Sequence, residues 1–98
     1  MFVNIIKTYR DVVAICDKEL LGKKFEEGKF HLDIKESFYK GEETPEEKVI
    51  EIMKLMSAED ATFNIVGPKS VNAALKAKIS SEEQIRKIKG IPYILVLL

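Results

Sequence analysis

The sequence has no tryptophan, one cysteine, one histidine and no net charge. Each scarcity excludes something. A lone cysteine, Cys16, allows neither an internal disulfide nor a cysteine-based zinc cluster, and it suits a reduced, cytoplasmic setting. A lone histidine, His31, gives that cysteine one candidate base, and nothing in the sequence places the two together. One Cys, one His and scattered acids form no metal-ligand spacing, so no metal and no cofactor is expected. Sixteen basic residues cancel sixteen acidic ones. Bulk positive charge therefore does not point to nucleic acid, and only a local patch would. The apolar C-terminal run "IPYILVLL" has eight residues, whereas a membrane-spanning helix takes about 20. The start, "MFVNIIKTYRD", lacks the basic end, long apolar run and cleavage site of a signal peptide.

What remains is an ordinary globular composition. Hydrophobic residues make up 46% and charged residues 33% of the 98 residues. A chain of this length forms one domain, residues 1–98, and buries roughly 60–68% of its unfolded surface. There is no internal repeat, low-complexity tract or linker.

Hydrophobic periodicity gives the elements. Residues 2–9 and 12–16 read as strands, joined at Arg10–Asp11 into a hairpin. Asp17 is an N-cap for a short helix or helical turn over "KELLGKKFEE", with Gly28 as its stop. "KFHLDIKESF" (29–38) alternates, with Phe30, Leu32, Ile34 and Glu36 on one side and His31, Asp33 and Lys35 on the other. That pattern is a strand with one wet face. Residues 39–44 form a loop. "TPEE" then opens a helix, with Thr44 as cap, Pro45 at the first position and Glu47 completing a capping box. Its apolar face carries Val49, Ile50, Met53 and Met56, with the methionines as core filler. Residues 61–66 are a strand. Gly67 and Pro68 open a helix to about Lys78. Ser80 and Glu83 repeat the capping-box pattern for a shorter helix to Lys89. "YILVLL" (93–98) closes as a central strand with both faces covered. The order β-β-α-β-α-β-α-α-β implies an α/β or α+β fold. One mixed sheet of about five strands carries helices packed on it.

Three places hold candidate chemistry. The first is the turn Gly67–Pro68–Lys69–Ser70. A helix N-terminus offers unpaired N–H groups and partial positive charge, and Lys69 and Ser70 add a cation and a hydroxyl. An anion there, or a plain strand-to-helix joint, are the two readings. The turn is neither a P-loop nor a dinucleotide fingerprint. The second is Cys16–Asp17 at a strand end, where a buried, inert thiol is the expectation. The third is "SFYKGEE" (37–43). An exposed Tyr39 beside Lys40 would stack a base or anchor a partner, whereas an inward ring would only finish the core. Lys23 and Lys24, with Lys76, Lys78, Arg86, Lys87 and Lys89, form a basic patch if their segments meet, diluted by nearby glutamates.

The stretches "AICDKELLGKKFEEG", "FYKGE", "NIVGPKSVNAAL" and "IKGIP", in that order, resemble the archaeal DUF424 family of small uncharacterised proteins. The resemblance spans nearly the whole chain. It implies an archaeal cytoplasmic protein and carries no established activity. The matching positions are Asp17, Leu21, Gly22, Phe38, Tyr39, Gly41, Glu42, Asn64 and Gly67. The family's glycine–hydrophobic–proline segment is usually followed by histidine, where this chain has Tyr93. A histidine-based mechanism is therefore not expected here.

Three functions are in view. The foremost is a non-enzymatic binding module with no catalytic residue, an accessory of RNA or translation machinery. It would use Tyr39, Lys40 and the lysine set with Lys23, while Asn64 either ties down a neighbouring loop's backbone or faces a ligand. The second is a small ligand-binding domain or enzyme that holds an anion with Gly67, Lys69, Ser70, Asp17 and Glu42. The third is a protein-interaction subunit.

Overall fold

A computed structural model describes residues 1–97. The predicted closing strand runs one residue further, and that residue, Leu98, lies outside the described part. The chain forms β1 (Phe2–Ile6), β2 (Val12–Cys16), β3 (Lys24–Glu27), β4 (Phe30–Asp33), α1 (Glu36–Tyr39), β5 (Glu42–Glu43), α2 (Glu46–Ala58), β6 (Thr62–Val66), α3 (Pro68–Lys76), β7 (Arg86–Ile88) and β8 (Ile91–Val96). Single 3₁₀ turns cover Lys18–Leu20 and Glu82–Gln84.

Six strands form one sheet in the order β5-β1-β2-β6-β8-β7, and β3 and β4 form a separate hairpin. β2 and β6 pair in parallel, and the other neighbours pair antiparallel. The expected mixed sheet with helices against it is thus the architecture, in α+β form.

The two faces of this sheet differ. One face presents Val3, Val13, Ile15, Phe63, Ile65 and Ile94 to Val49, Met53 and Met56 of α2 and to Val71, Ala73 and Ala74 of α3. Side chains two apart along a strand share a face, so these positions alternate in each strand. Fully burying each large apolar side chain contributes about 1.5–3 kcal/mol, which makes this layer the main store of stability. The other face carries Ala14, Cys16 and Val66, packed under Leu20, Leu32, Ile34 and Tyr39. That cover protects the end of the sheet near Cys16. Further along, Thr62 and Asn64 are only half-buried and Leu95 is 51% exposed. One face is closed, and the other is closed over part of its length.

Several local expectations change. The predicted helix over 18–27 is a single 3₁₀ turn followed by β3, because the "KFEE" backbone pairs with β4 from Lys24↔Asp33 to Glu27↔Phe30. The predicted strand 29–38 ends at Asp33, and its last residues coil into α1, where Tyr39 N–H donates to Lys35 O. The loop 39–44 contains β5, which pairs with Val3 and Phe2 of β1. Thr44 does not cap α2: its Oγ1 donates to Glu42 O at 2.8 Å, and the helix starts at Glu46 after Pro45.

The predicted helix 80–89 is likewise a 3₁₀ turn and a strand. Gln84 Oε1 accepts from Ser80 Oγ and from Ser81 N–H, so the reciprocal contact belongs to Ser81 and Gln84 rather than Ser80 and Glu83. Lys89 and Gly90 both have positive φ, at 53° and 76°. This is the two-residue turn whose twist suits an antiparallel hairpin, and it joins Ile88 to its partner Ile91. β8 is interior, between β6 and β7. Its exposed Leu95 shows that only one of its faces is covered throughout.

Candidate functional site

The Gly67 turn already holds an anion, and the anion is the protein's own. Asp17 Oδ2 accepts the Lys69 N–H at 3.0 Å, and Oδ1 accepts the Ser70 N–H at 2.8 Å and the Ser70 hydroxyl at 2.7 Å. Asp17 is 1% exposed and Ser70 fully buried. The N-cap position of α3 is Gly67, which has no side chain to offer as acceptor. Asp17, 52 residues earlier than Lys69, supplies the carboxylate instead. Its charge faces the positive end of the helix, the arrangement that favours an anion there. Gly67 is required twice over. Its φ is 109°, and a Cβ would lie 2.6 Å from Asp17 Oδ1. The backbone ties are complete as well: Asp17 N–H donates to Val66 O at 3.1 Å, and Gly67 N–H donates to Pro92 O at 2.9 Å. Asp17 thus caps α3 rather than the turn that follows it.

The other sequence-predicted site residues scatter. Lys69 Nζ lies 3.4 Å from Glu19. Tyr39 is buried in the second core cluster, edge-on to Phe38 with ring centroids 5.0 Å apart, so it is not an exposed stacking ring. Burial, with Cys16 second, pushes its hydroxyl up to about 12. Burial, with the Asp17 charge next, pushes the Cys16 thiol up to about 11, as an inert core cysteine requires. Lys23, Lys40 and Glu42 are exposed. Glu42 sits in β5 opposite Val3, separated from the Gly67 turn by the β1 and β2 strands. The anion-site reading therefore loses its geometry, since the donors it needs are engaged within the fold. The basic segments do meet, as β3 packs beside β7. Lys24 faces Asp33 at 3.9 Å and Lys76 faces Glu46 at 2.9 Å, and Glu27 accepts the Lys89 N–H, so acids thin that patch.

A different place is open. On the uncovered part of the second face, Glu83, Gln84, Arg86, Tyr93 and Leu95 line a cavity of about 380 Å³. Arg86 and Tyr93 stand directly opposite each other across β7 and β8. Leu95 stands opposite Asn64 across β8 and β6. Strand alternation puts Arg86, Tyr93, Leu95 and Asn64 on one face. No carboxylate lies within 4.0 Å of the Arg86 guanidinium, and no protein group bonds the Asn64 amide, among the described residues. The Gln84 oxygen is held by Ser80 and Ser81, which leaves its amide nitrogen as the free group. The cavity thus gathers a half-exposed aromatic ring, a free guanidinium, a free amide, a free carboxylate and an apolar floor. Sequence reasoning noted Arg86, Asn64 and Tyr93 separately and missed their meeting, because it read 80–89 as a helix. The Lys89–Gly90 pair was the available signal for a hairpin.

A second, more open cleft at the far end of the sheet is lined by Tyr9, Arg10, Asp11, Glu59 and Asp60. Among the described residues, no three His, Cys, Asp or Glu side chains gather to hold a metal ion. No helix among them is long and apolar enough to cross a membrane.

Comparison with known proteins agrees with this picture of the fold. The crystal structure of an uncharacterised conserved protein from Methanopyrus kandleri superposes with a TM-score of 0.84 at 24% sequence identity. The match covers 97% of this chain and 88% of that one. None of the curated proteins matches the sequence. The family described as "Protein of unknown function (DUF424)" matches residues 6–97, nearly the full length, and the chain belongs to that family.

Proposed function

We propose that this protein is a non-enzymatic binding module that holds single-stranded RNA on the open part of its sheet, as an accessory of RNA or translation machinery. The observation that carries this reading is the Arg86–Tyr93 cross-strand pair in the cavity beside β8. Single-stranded RNA is recognised chiefly by stacking unpaired bases on aromatic rings or guanidinium planes and by bonding their edges. A half-exposed Tyr beside an unpaired Arg supplies the first requirement. Asn64 and Gln84, with free amide groups, supply the second. The cavity volume lies in the range of small-ligand sites, which run from about 300 to 1,000 Å³. Zero net charge is consistent with a site that reads a base and touches few phosphates.

The test is fluorescence anisotropy of a labelled 12-nucleotide single strand of mixed sequence. Micromolar binding is expected, weakened at least fivefold in Tyr93→Ala and in Arg86→Ala. With at most one phosphate touched, log K should fall with log salt at a slope no steeper than about −0.7. Equal binding by the wild type and both variants, or no binding by any of them, contradicts the reading.

A further inference from the structure

We infer that the cavity beside β8 is a pocket for a guanine base; this rests on the base-binding reading above and adds the identity of the base. The argument starts from two charges. Glu83 and Arg86 line the same cavity, and yet no ion pair joins them. No cation within 4.0 Å neutralises Glu83 either, among the described residues. A ligand entering here meets an acceptor-only group and a donor-only group that do not neutralise each other. The Gln84 amide nitrogen adds a further donor, because Ser80 and Ser81 hold its oxygen.

That pattern selects among the bases. Guanine offers two adjacent N–H donors on one edge, N1–H and the N2 amino group, which one carboxylate accepts together. It offers two adjacent acceptors, O6 and N7, which suit an arginine fork. Uracil has a single N–H flanked by two carbonyls and would set one of them against Glu83. Adenine and cytosine each present one exocyclic amine beside an acceptor. Only guanine offers two bonds to the carboxylate and two to the guanidinium; cytosine and adenine give the carboxylate a single N–H. Tyr93 supplies the ring for stacking and Leu95 the apolar floor. Asn64, opposite Leu95 on the same face, is a further free amide for the sugar or the next base.

The same chemistry is available from a guanine in an RNA strand and from a free guanine nucleotide, so the test separates the two. Labelled U11, U5GU5, U5AU5 and U5IU5 strands, where inosine (I) lacks only the N2 amine, are titrated into wild-type protein and Glu83→Gln. GMP is titrated alone by calorimetry. The pocket predicts U5GU5 binding about 10-fold tighter than U11 and U5AU5. It predicts that inosine in place of guanine brings binding most of the way to the U11 level, and that Glu83→Gln closes most of the gap between U5GU5 and U11. Glu83 is exposed, so the variant should melt with the wild type. The inosine strand tests the same contact without altering the protein. Guanine-independent binding of all strands overturns the guanine pocket and leaves the RNA reading standing. GMP binding with no strand binding supports the pocket, assigns it to a free nucleotide and overturns the RNA reading. No binding of strands or GMP overturns both.

Discussion

Two places beside the β6–β8 pair, the opening of α3 at Gly67 and the β7–β8 hairpin, make a contrast. At Gly67 the backbone N–H groups of α3 point at a carboxylate, and the carboxylate is Asp17 of the same chain, buried and bonded three times. At Arg86 and Glu83 charged side chains line a cavity with no ion-pair partner among the described residues, and Tyr93 beside them keeps part of its ring open. Both look like sites in the sequence or on the surface. Only one has unspent donors and acceptors. A helix N-terminus is a place for an anion, and the first question to ask of it is whether the fold has already provided one.

The contrast predicts opposite consequences of substitution. Asp17→Ala should have the largest effect on stability, since it strands the Lys69 and Ser70 donors in a buried site. A loss of about 3 kcal/mol is expected, which for a domain of this size lowers Tm by roughly 15 °C. Formate should restore part of that loss in Asp17→Ala and do nothing to the wild type. Calorimetric melts with and without formate decide it, and a variant that melts with the wild type would show the cap to be idle. Gly67→Ala should cost about 2 kcal/mol or more, from a φ of 109° and from overlap with the Asp17 carboxylate.

Alkali should come next. Cys16 is held protonated up to about 11, against an ordinary value of 9.0, and Tyr39 up to about 12, against 10.0. Both folded values lie above the unfolded ones, and the neutral form is the one that fits the core. Their contribution is complete below pH 9 and is lost as pH rises through 11 to 12. Each group accounts for about 2–3 kcal/mol at the top of that window. Denaturant midpoints measured from pH 8 to 12 should fall steeply above 9, and Cys16→Ala should flatten the lower part of the fall. A flat profile would mean that neither group stays protonated in the fold.

The smallest effects on stability belong to the open cavity. Arg86→Ala and Glu83→Gln should change ΔG by less than about 0.5 kcal/mol. Tyr93→Ala, whose ring also packs against the second cluster, should cost about 1 kcal/mol. The same three should carry the largest effects on binding. A cavity residue that costs as much stability as Asp17 would turn the comparison around and make the cleft part of the core.

Much of the closed region was readable in advance, and little of the open one. The short apolar strand runs at 12–16 and 61–66, the Pro45 helix start and the Gly67–Pro68 strand-to-helix joint are local signals, and the elements they predict form within a residue or two. Cys16 as an inert thiol follows from composition alone. What was hidden was non-local. Nothing near Asp17 in sequence indicates that it serves a helix 52 residues away. "KFEE" and "IRKI" carry helix-compatible residues, and tertiary pairing with β4 and β8 makes them strands. Reading 80–89 as a helix separated Arg86 from Tyr93. The hairpin turn at Lys89–Gly90 brings them face to face, and with that the cavity exists. Tyr39 failed as an exposed ring for a related reason: α1 turns it inward over Ala14 and Cys16, while Tyr93, on the uncovered face, keeps part of its ring open.

The most direct test of this account is a titration of ¹⁵N-labelled protein with the U5GU5 strand, followed by amide chemical shifts. The account predicts that the perturbed amides cluster at residues 83–86, 93–95 and Asn64, with those of Lys69 and Ser70 unmoved. Shifts centred on Lys69 and Ser70, with the 83–95 segment silent, would contradict it, because they would mean that the carboxylate of Asp17 yields its place to an outside anion.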